Sequence, residues 1–347
     1  MKNLFLIIIS INIISCAKIS YLTSQSLEQV RLISQGEEIK ETLKRDDVDL
    51  ETKDKLKKII QYKRFFSNYF NENIGEIYNK IIFLDRKHVS YLVVSSSWEE
   101  IKPVEECFWL VGCFPYLGFF HKKAALEHKE KMTTMGLSSH IRPVNAYSTL
   151  GHFNDRVLTS FFNYSDKGLA NLIFHELVHS VIFFKNGVSF NENIANFFAD
   201  ELVSIYFKES IADKQLSGSI QSAQRQINSL ISKKTKNINS ELRNFKGNKK
   251  RRMNELISSN FGQEFALEVT RVCNDNKINT SFCLKYEKNW TPSTLAAIGT
   301  YNQMQSQIRT FYKNNFKNLK EFYIYLKAEY LKGTSSKDLF KQLKLKY

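Results

Sequence analysis

The chain has 347 residues, 43% of them hydrophobic and 24% charged, with only 13 Gly and 4 Pro. That excludes a disordered or collagen-like protein and leaves room for one large domain or two small ones. The formal net charge of +15 invites a nucleic-acid partner, but the start of the chain argues against one.

The first sixteen residues read MKNLFLIIISINIISC. Lys2 precedes an apolar run from Leu4 to Ile14 that is too short for a permanent membrane span. The run closes in Ile13-Ile14-Ser15-Cys16, which matches a bacterial lipoprotein signal. Residues 1–15 are then expected to be removed, Cys16 to be acylated, and residues 16–26 to act as a tether. The alternative is an ordinary secretory signal with an incidental cysteine. The expected location is the cell envelope, on the periplasmic side of a membrane held through lipid. Ala17 leans the choice towards the outer membrane. A basic body beside anionic lipid accounts for the charge without nucleic acid.

Export also bears on the four remaining cysteines, Cys107, Cys113, Cys273 and Cys283. An even number permits two disulfides. The close spacings favour Cys107–Cys113 and Cys273–Cys283 among the three possible pairings.

Residues 27–46 and 51–70 read as amphipathic helices, with Leu27, Val30 and Leu32 in the first and Leu56, Ile59, Ile60 and Tyr62 in the second. Residues 80–96 predict two strands separated by Asp85-Arg86-Lys87. Residues 107–120 form another apolar run with a turn at Pro115, residues 121–136 a helix ending at a glycine, and residues 137–151 a strand and turn. From Asp166 onward the pattern is almost entirely helical. The basic run KGNKKRRMNEL at 246–256 is expected to be the solvated face of a helix, because Met253, Leu256 and Ile257 give it an apolar stripe. No repeat or linker divides the chain. The expectation is a single α+β domain over 27–347, a small sheet followed by a predominantly helical body.

The sharpest signal is FHELVHSVIFFKNGVSFNENIANFFADE, residues 174–201. Ser165 or Asp166 can cap a helix that continues without a breaker to Lys185. His175 and His179 are four apart, so their imidazoles share one face and can reach one ion at about 2.0–2.1 Å each. Glu176 stands beside them, placed to take a proton from water activated by the ion. This is the H-E-x-x-H arrangement. Ile173, Phe174, Leu177, Val178, Val181, Ile182 and Phe183 make the helix apolar nearly all round, so it is expected to be buried. Buried histidines and a buried glutamate need partners, and a metal supplies them.

A turn at 186–189 precedes a second helix with Glu192 in its first turn. Two readings compete for Glu192. It completes a His₂Glu zinc set with one position left for water, or it forms a capping box with Ser189. Ala195 and Ala199 leave a small-residue face for close approach, and Asn196 can hydrogen-bond a ligating histidine.

FNENIANF resembles the asparagine-glutamate-x-x-alanine segment that supplies the third zinc ligand in gluzincin aminopeptidases. The chain as a whole resembles the bacterial aminopeptidase lipoproteins of the aminopeptidase-5 family. The resemblance is carried by SLEQVRLISQGEEI near the start, CFWLVGCFPYLGFFHKKAA at 107–125, AYSTLGHFNDRVLTSFF at 146–162, LANLIFHELVHSVIFFKNGVSFNENIANF at 169–197 and NWTPSTLAAIGTYN at 289–302. It implies a gluzincin-like zincin fold, Zn2+ held by His175, His179 and Glu192, and Glu176 as the acid/base. The chain departs from the family at His152, at Asn154-Asp155-Arg156 and at Tyr116-Leu117-Gly118-Phe119. These departures bear on substrate preference.

The expected function is therefore a lipid-anchored zinc metallopeptidase acting on peptides, an aminopeptidase by resemblance. In gluzincins a tyrosine or histidine donates to the anion that forms, and Tyr301 and Tyr147 are the candidates here. The segment 146–151 resembles the edge strand that carries the substrate backbone. Asp155 is the one guess for an acid that grips a free N-terminal ammonium. Two other readings stand beside this one. One is a non-catalytic envelope lipoprotein with a structural or peptide-binding metal site. The other is a zinc hydrolase acting on a cell-wall amide. Three visible protein ligands, where a structural zinc usually has four, favour catalysis.

Overall fold

The computed structural model describes residues 21–32, 34–108, 112–145, 155–185, 187–279, 289–298 and 305–342. Cys16, Tyr147, His152, Cys283 and Tyr301 lie outside them.

The expected helix over 27–46 is broken. Residues 21–32 are helical (α1), then Glu37–Glu38 form a short strand (β1) and Ile39–Thr42 a single helical turn (α2). The break follows from Gly36. A Cβ there would sit 3.1 Å from Lys80 Cβ and 3.2 Å from Arg156 Cγ, so only glycine lets β1 approach its neighbour this closely. β1 pairs antiparallel with β2 (Lys80–Ile82), and β2 pairs in parallel with β8 (Val157–Leu158).

The second expected helix is present as α3 (Leu50–Phe70). The Asp49 side chain caps it by accepting the Thr52 N–H, and Asn71 ends it in the left-handed region at φ 57°. Its apolar positions recur every three or four residues, so Leu56, Ile59, Tyr62, Phe66 and Phe70 are all buried on one face. Each contributes about 2 kcal/mol by leaving water.

The two strands expected in 80–96 join different sheets. β3 (Ser90–Ser96) lies between β6 (Leu117–Phe119) and β7 (Ser138–Val144), antiparallel to both. β4 (Glu106–Phe108) and β5 (Gly112–Phe114) form a hairpin of their own in which Cys107 is opposite Cys113, and the two are disulfide-bonded. Among the described residues the strands thus form three small sheets where one was expected. Each strand is too short to present a continuous edge to all the others. α4 (Lys122–Thr134) packs on β3 and β7.

The rest is helical: α5 (Asp166–Val181), α6 (Val188–Tyr206), α7 (Ile211–Arg243), α8 (Lys249–Asn260), α9 (Gln263–Asp275), α10 (Pro292–Ile298), α11 (Gln305–Asn315), α12 (Leu319–Leu331) and α13 (Ser336–Gln342). Two large apolar clusters organise them. The first joins α3, α5, α6 and α12, and the second lies among α7, α8 and α9 with Trp290, Leu295 and Ile101. Met253, Leu256 and Ile257 sit in the second, which makes the basic run an amphipathic helix. The sheet is tied to this second cluster by the Asn239 amide, which bonds both the N–H and the carbonyl of Ile101 (2.8 and 3.2 Å). Cys273 is disulfide-bonded, while Cys283 lies outside the described residues. No described helix is long and apolar enough to cross a membrane.

Candidate metal centre

Helix α5 carries the H-E-x-x-H residues. The Ser165 hydroxyl caps it by accepting the Gly168 N–H (3.3 Å). Lys55 and Lys58 of α3 reach Asp166 in its first turn (3.0 and 2.7 Å), where an anion also suits the helix dipole. Together they hold the Asp166 carboxyl below the usual aspartate range.

The expected run to Lys185 is cut short at Val181. Two side chains from elsewhere satisfy the backbone there. The Lys327 ammonium of α12 donates to the Val181 carbonyl (3.0 Å), taking one of the orphan acceptors at the helix end. The buried Asn191 amide accepts the Phe184 N–H (2.9 Å) and donates to the Phe184 carbonyl (2.8 Å). These bonds stand in for the helical ones, so the chain leaves the helix at Ile182.

Helix α6 starts at Val188 with Gly187 at its cap position. The capping box that would have claimed Glu192 therefore does not form, since Ser189 lies inside the helix. A Cβ on Gly187 would lie 2.6 Å from Ser336 Cβ, so glycine is required for α13 to seat against the turn. Phe184, Phe190, Tyr330 and Phe340 pack around it with ring centroids 5.4–5.8 Å apart.

α5 and α6 run antiparallel in a fixed register. His179 meets Glu192, His175 meets Glu192 and Asn196, and Asn171 meets Asp200. Each step of four along one helix is answered by a step of four back along the other. Ala195 and Ala199 are fully buried, and their small size lets the helices close.

The His179 and His175 Nε2 atoms are 3.0 Å apart. Glu192 places Oε1 3.3 Å from His179 Nε2 and Oε2 3.4 Å from His175 Nε2. Three donors around a tetrahedral ion with bonds of about 2.0–2.1 Å are separated by about 3.3 Å. The two carboxylate contacts end on different oxygens, so Glu192 bridges the pair of imidazoles; contacts of 3.0–3.4 Å are close to that spacing, and the three residues could hold one divalent cation. Glu105, Cys107 and Cys113 also lie together, but their two sulfurs are consumed by the disulfide.

The charges in the triangle are set by burial and by each other. Burial pushes the Glu192 carboxyl up, but the hydrogen bonds to His175 and His179 outweigh it and hold it at about 2. Burial pulls the His175 imidazole down, but Glu192 first, then the Glu176 charge and the Asn196 hydrogen bond, leave it above its ordinary value. Glu192 is thus an anion ready to ligate at any ordinary pH. Among the described residues His179 Nδ1 has no hydrogen-bond partner.

Glu176 is partly exposed on the same helix. Tyr78, 1% exposed and in the left-handed region at φ 58°, lies within the field of Glu176 and Asp155. Burial first, and then those two carboxylates, push its hydroxyl well above the usual tyrosine value. The Asp155 carbonyl accepts the Tyr78 N–H (2.7 Å). Tyr78 was not foreseen, and neither were Asn171, Asn191 and Asp200. Burial pushes the Asp200 carboxyl up to about 6 against the pull of Asn171 and Arg309. Asn171 and Asp200 were findable by continuing the four-residue ladder one turn past the ligands. Nothing local marks Tyr78.

No curated protein and no solved structure matches the chain. A family model described as "Putative aminopeptidase" matches residues 20–339, a span that includes the whole α5–α6 hairpin and its clamp. The chain belongs to that aminopeptidase family.

Proposed function

We propose that the protein is a zinc metallopeptidase of the gluzincin-like zincin type, lipid-anchored in the cell envelope, that removes N-terminal residues from peptides. The observation that carries the reading is the convergence of His175, His179 and Glu192, with contacts of 3.0, 3.3 and 3.4 Å among the two Nε2 atoms and the two carboxylate oxygens. Family membership supports peptidase chemistry, and the leader ending at Cys16 supports the anchor.

A zinc ion held by these three residues would supply Lewis-acid activation of water and of a peptide carbonyl. The chain's own residues do the rest. Glu176 sits one residue from His175 on α5, half-buried with its Oε2 out of solvent, and takes the proton of the attacking water. The same carboxylic acid then delivers that proton to the departing amine. Asn196 fixes the His175 ring through its hydrogen bond. The apolar wall of α5 excludes bulk solvent from behind the imidazoles and strengthens every charge interaction in front of them.

The test joins metal analysis to a Glu176→Gln variant, assayed on peptides with free and with blocked N-termini. The expected result is one zinc per chain in both proteins, with activity on free N-termini lowered about 10²–10⁴-fold in the variant. Equal activity in the two proteins would leave a non-catalytic metal site, and cleavage of blocked peptides would exclude a strict aminopeptidase.

A further inference from the structure

The positive charge of the chain is concentrated in one place. Residues 233–252 carry nine Lys and Arg against one acid, Glu241, a net +8 of the chain's +15. They form the C-terminal half of α7, the turn at 244–248 and the start of α8. Four of the nine have acidic partners, Lys234 with Glu268, Lys249 with Glu99, Arg251 with Glu255 and Arg252 with Glu241. The other five, Lys233, Lys236, Arg243, Lys246 and Lys250, are exposed. Among the described residues none of the five has an acidic partner.

Their placement follows from the core beneath. Lys233, Lys236 and Arg243 recur on one face of α7, opposite the buried Ile231, Ile238 and Leu242. Lys246 stands in the turn. Lys250 lies over the Trp98 ring at 5.2 Å, held by a cation–π contact. A shallow depression on the outer face of α8 is lined by Asn248, Lys250, Arg251, Asn254, Glu255 and Ser258. Glu255 there is paired with Arg251 (3.0 Å), which leaves the Lys250 ammonium and the Asn248, Asn254 and Ser258 side chains to face a phosphate ester. The hairpin is anchored in the second apolar cluster, so the charge is displayed on a rigid support.

We infer that the tip of the α7–α8 hairpin is a docking surface for the anionic headgroups of a phospholipid bilayer. A protein partner would call for an exposed aromatic anchor at the centre of the patch. The aromatics here, Phe245 and Trp98, are only partly exposed. The bilayer is chosen over a polynucleotide because of the lipoprotein-like leader. The Tyr21 hydroxyl donates to the Gly118 carbonyl (2.7 Å) and its ring stacks on Phe108, so the body begins at Tyr21. Four residues separate it from Cys16, and the five steps between the two reach about 18 Å when fully extended. A body tethered by so short a leader stays beside the bilayer, whose anionic headgroups complement the net +8 of the hairpin. The inference does not depend on the peptidase reading.

The test uses the full chain bound to vesicles of phosphatidylcholine alone, or of phosphatidylcholine with phosphatidylglycerol. Lysines are acylated with a water-soluble reagent and read by peptide mass spectrometry. Lys246 and Lys250 are expected to lose about fivefold in labelling on the phosphatidylglycerol vesicles, each lysine gaining about 1 kcal/mol at such a surface. Lys123, 90% exposed on α4, is the internal control. High salt should restore labelling. In a Lys246→Gln/Lys250→Gln variant the protection of Lys236 should fall with the charge. Equal labelling of the hairpin on both lipids overturns the inference. So does protection by a duplex polynucleotide at a salt concentration where the phosphatidylglycerol vesicles give none. Flotation with pure phosphatidylcholine vesicles reports the leader separately.

Discussion

Gly187→Ala tests the clamp on the site without touching a ligand. The glycine has φ −121°, which alanine adopts without strain, so the cost is steric. The new methyl would lie 2.6 Å from Ser336 Cβ and 2.9 Å from Ser336 Oγ, whereas ordinary contact begins at 3.4 Å. The deficit, 3.4 minus 2.6, is 0.8 Å, and both neighbours belong to helix starts packed among buried phenylalanines. Overpacking of this size costs about 1–3 kcal/mol. Loss of glycine from a helix cap adds up to about 1 kcal/mol that is unrelated to Ser336. A double-mutant cycle separates the two. Ser336→Gly removes the atoms in conflict, so the Gly187→Ala penalty measured by urea unfolding should shrink by at least about 1 kcal/mol in that background. Zinc affinity, from competition with a chromophoric chelator, should fall in Gly187→Ala and recover in the double variant. An unfolding penalty that is the same in both backgrounds would refute the steric argument, and the link from α13 to the site with it.

Asn191→Ala leaves the Phe184 N–H buried without its partner, while the Phe184 carbonyl keeps the Gly187 N–H (3.2 Å), and is expected to cost about 1–3 kcal/mol in thermal or urea unfolding; a loss below about 0.5 kcal/mol would mean that solvent reaches the turn. The metal-free chain should weaken in acid through Glu192. Its carboxyl lies at about 2 when folded against an ordinary 4.5, so its contribution is complete above pH 4.5 and lost as pH falls towards 2. That contribution is on the order of 3 kcal/mol at most, and a Glu192→Gln variant should lack this acid limb. Asp200 acts in the opposite sense. Its carboxyl is raised from 3.8 to about 6, so stability declines as pH rises through that window. Asp200→Asn should remove the decline and gain about 2 kcal/mol at neutral pH; an unchanged slope between pH 4 and 6 would contradict the burial that raises it.

The parts of this architecture that were legible in the sequence are those specified locally. His175, Glu176 and His179 need only helix periodicity, and the cap at Ser165 needs only the adjoining residues. Glu192 was legible as one of two competing readings, and a two-residue shift of the helix start to Val188 disposes of the capping box. The end of α5 was not legible, because Lys327 and Asn191 decide it and propensity alone continues the helix to Lys185. The break at Gly36 was missed for the same reason, since the glycine answers to Lys80 and Arg156 and not to its own neighbours. The separate sheets were hidden too, because strands of two to seven residues carry no sign of their partners.

The clamp at the end of α5 has a consequence in time. Lys327, which closes that helix at Val181, is 146 residues further along the chain, and Ser336 comes later still. A nascent chain that has emerged only as far as α11 already owns both imidazoles, the carboxylate and the Asn191 bonds of the turn, but lacks the two braces that come from α12 and α13. The α5–α6 hairpin is therefore not fully braced until synthesis has passed the last clamp, so His175, His179 and Glu192 settle into their final spacing among the last events of the chain's folding.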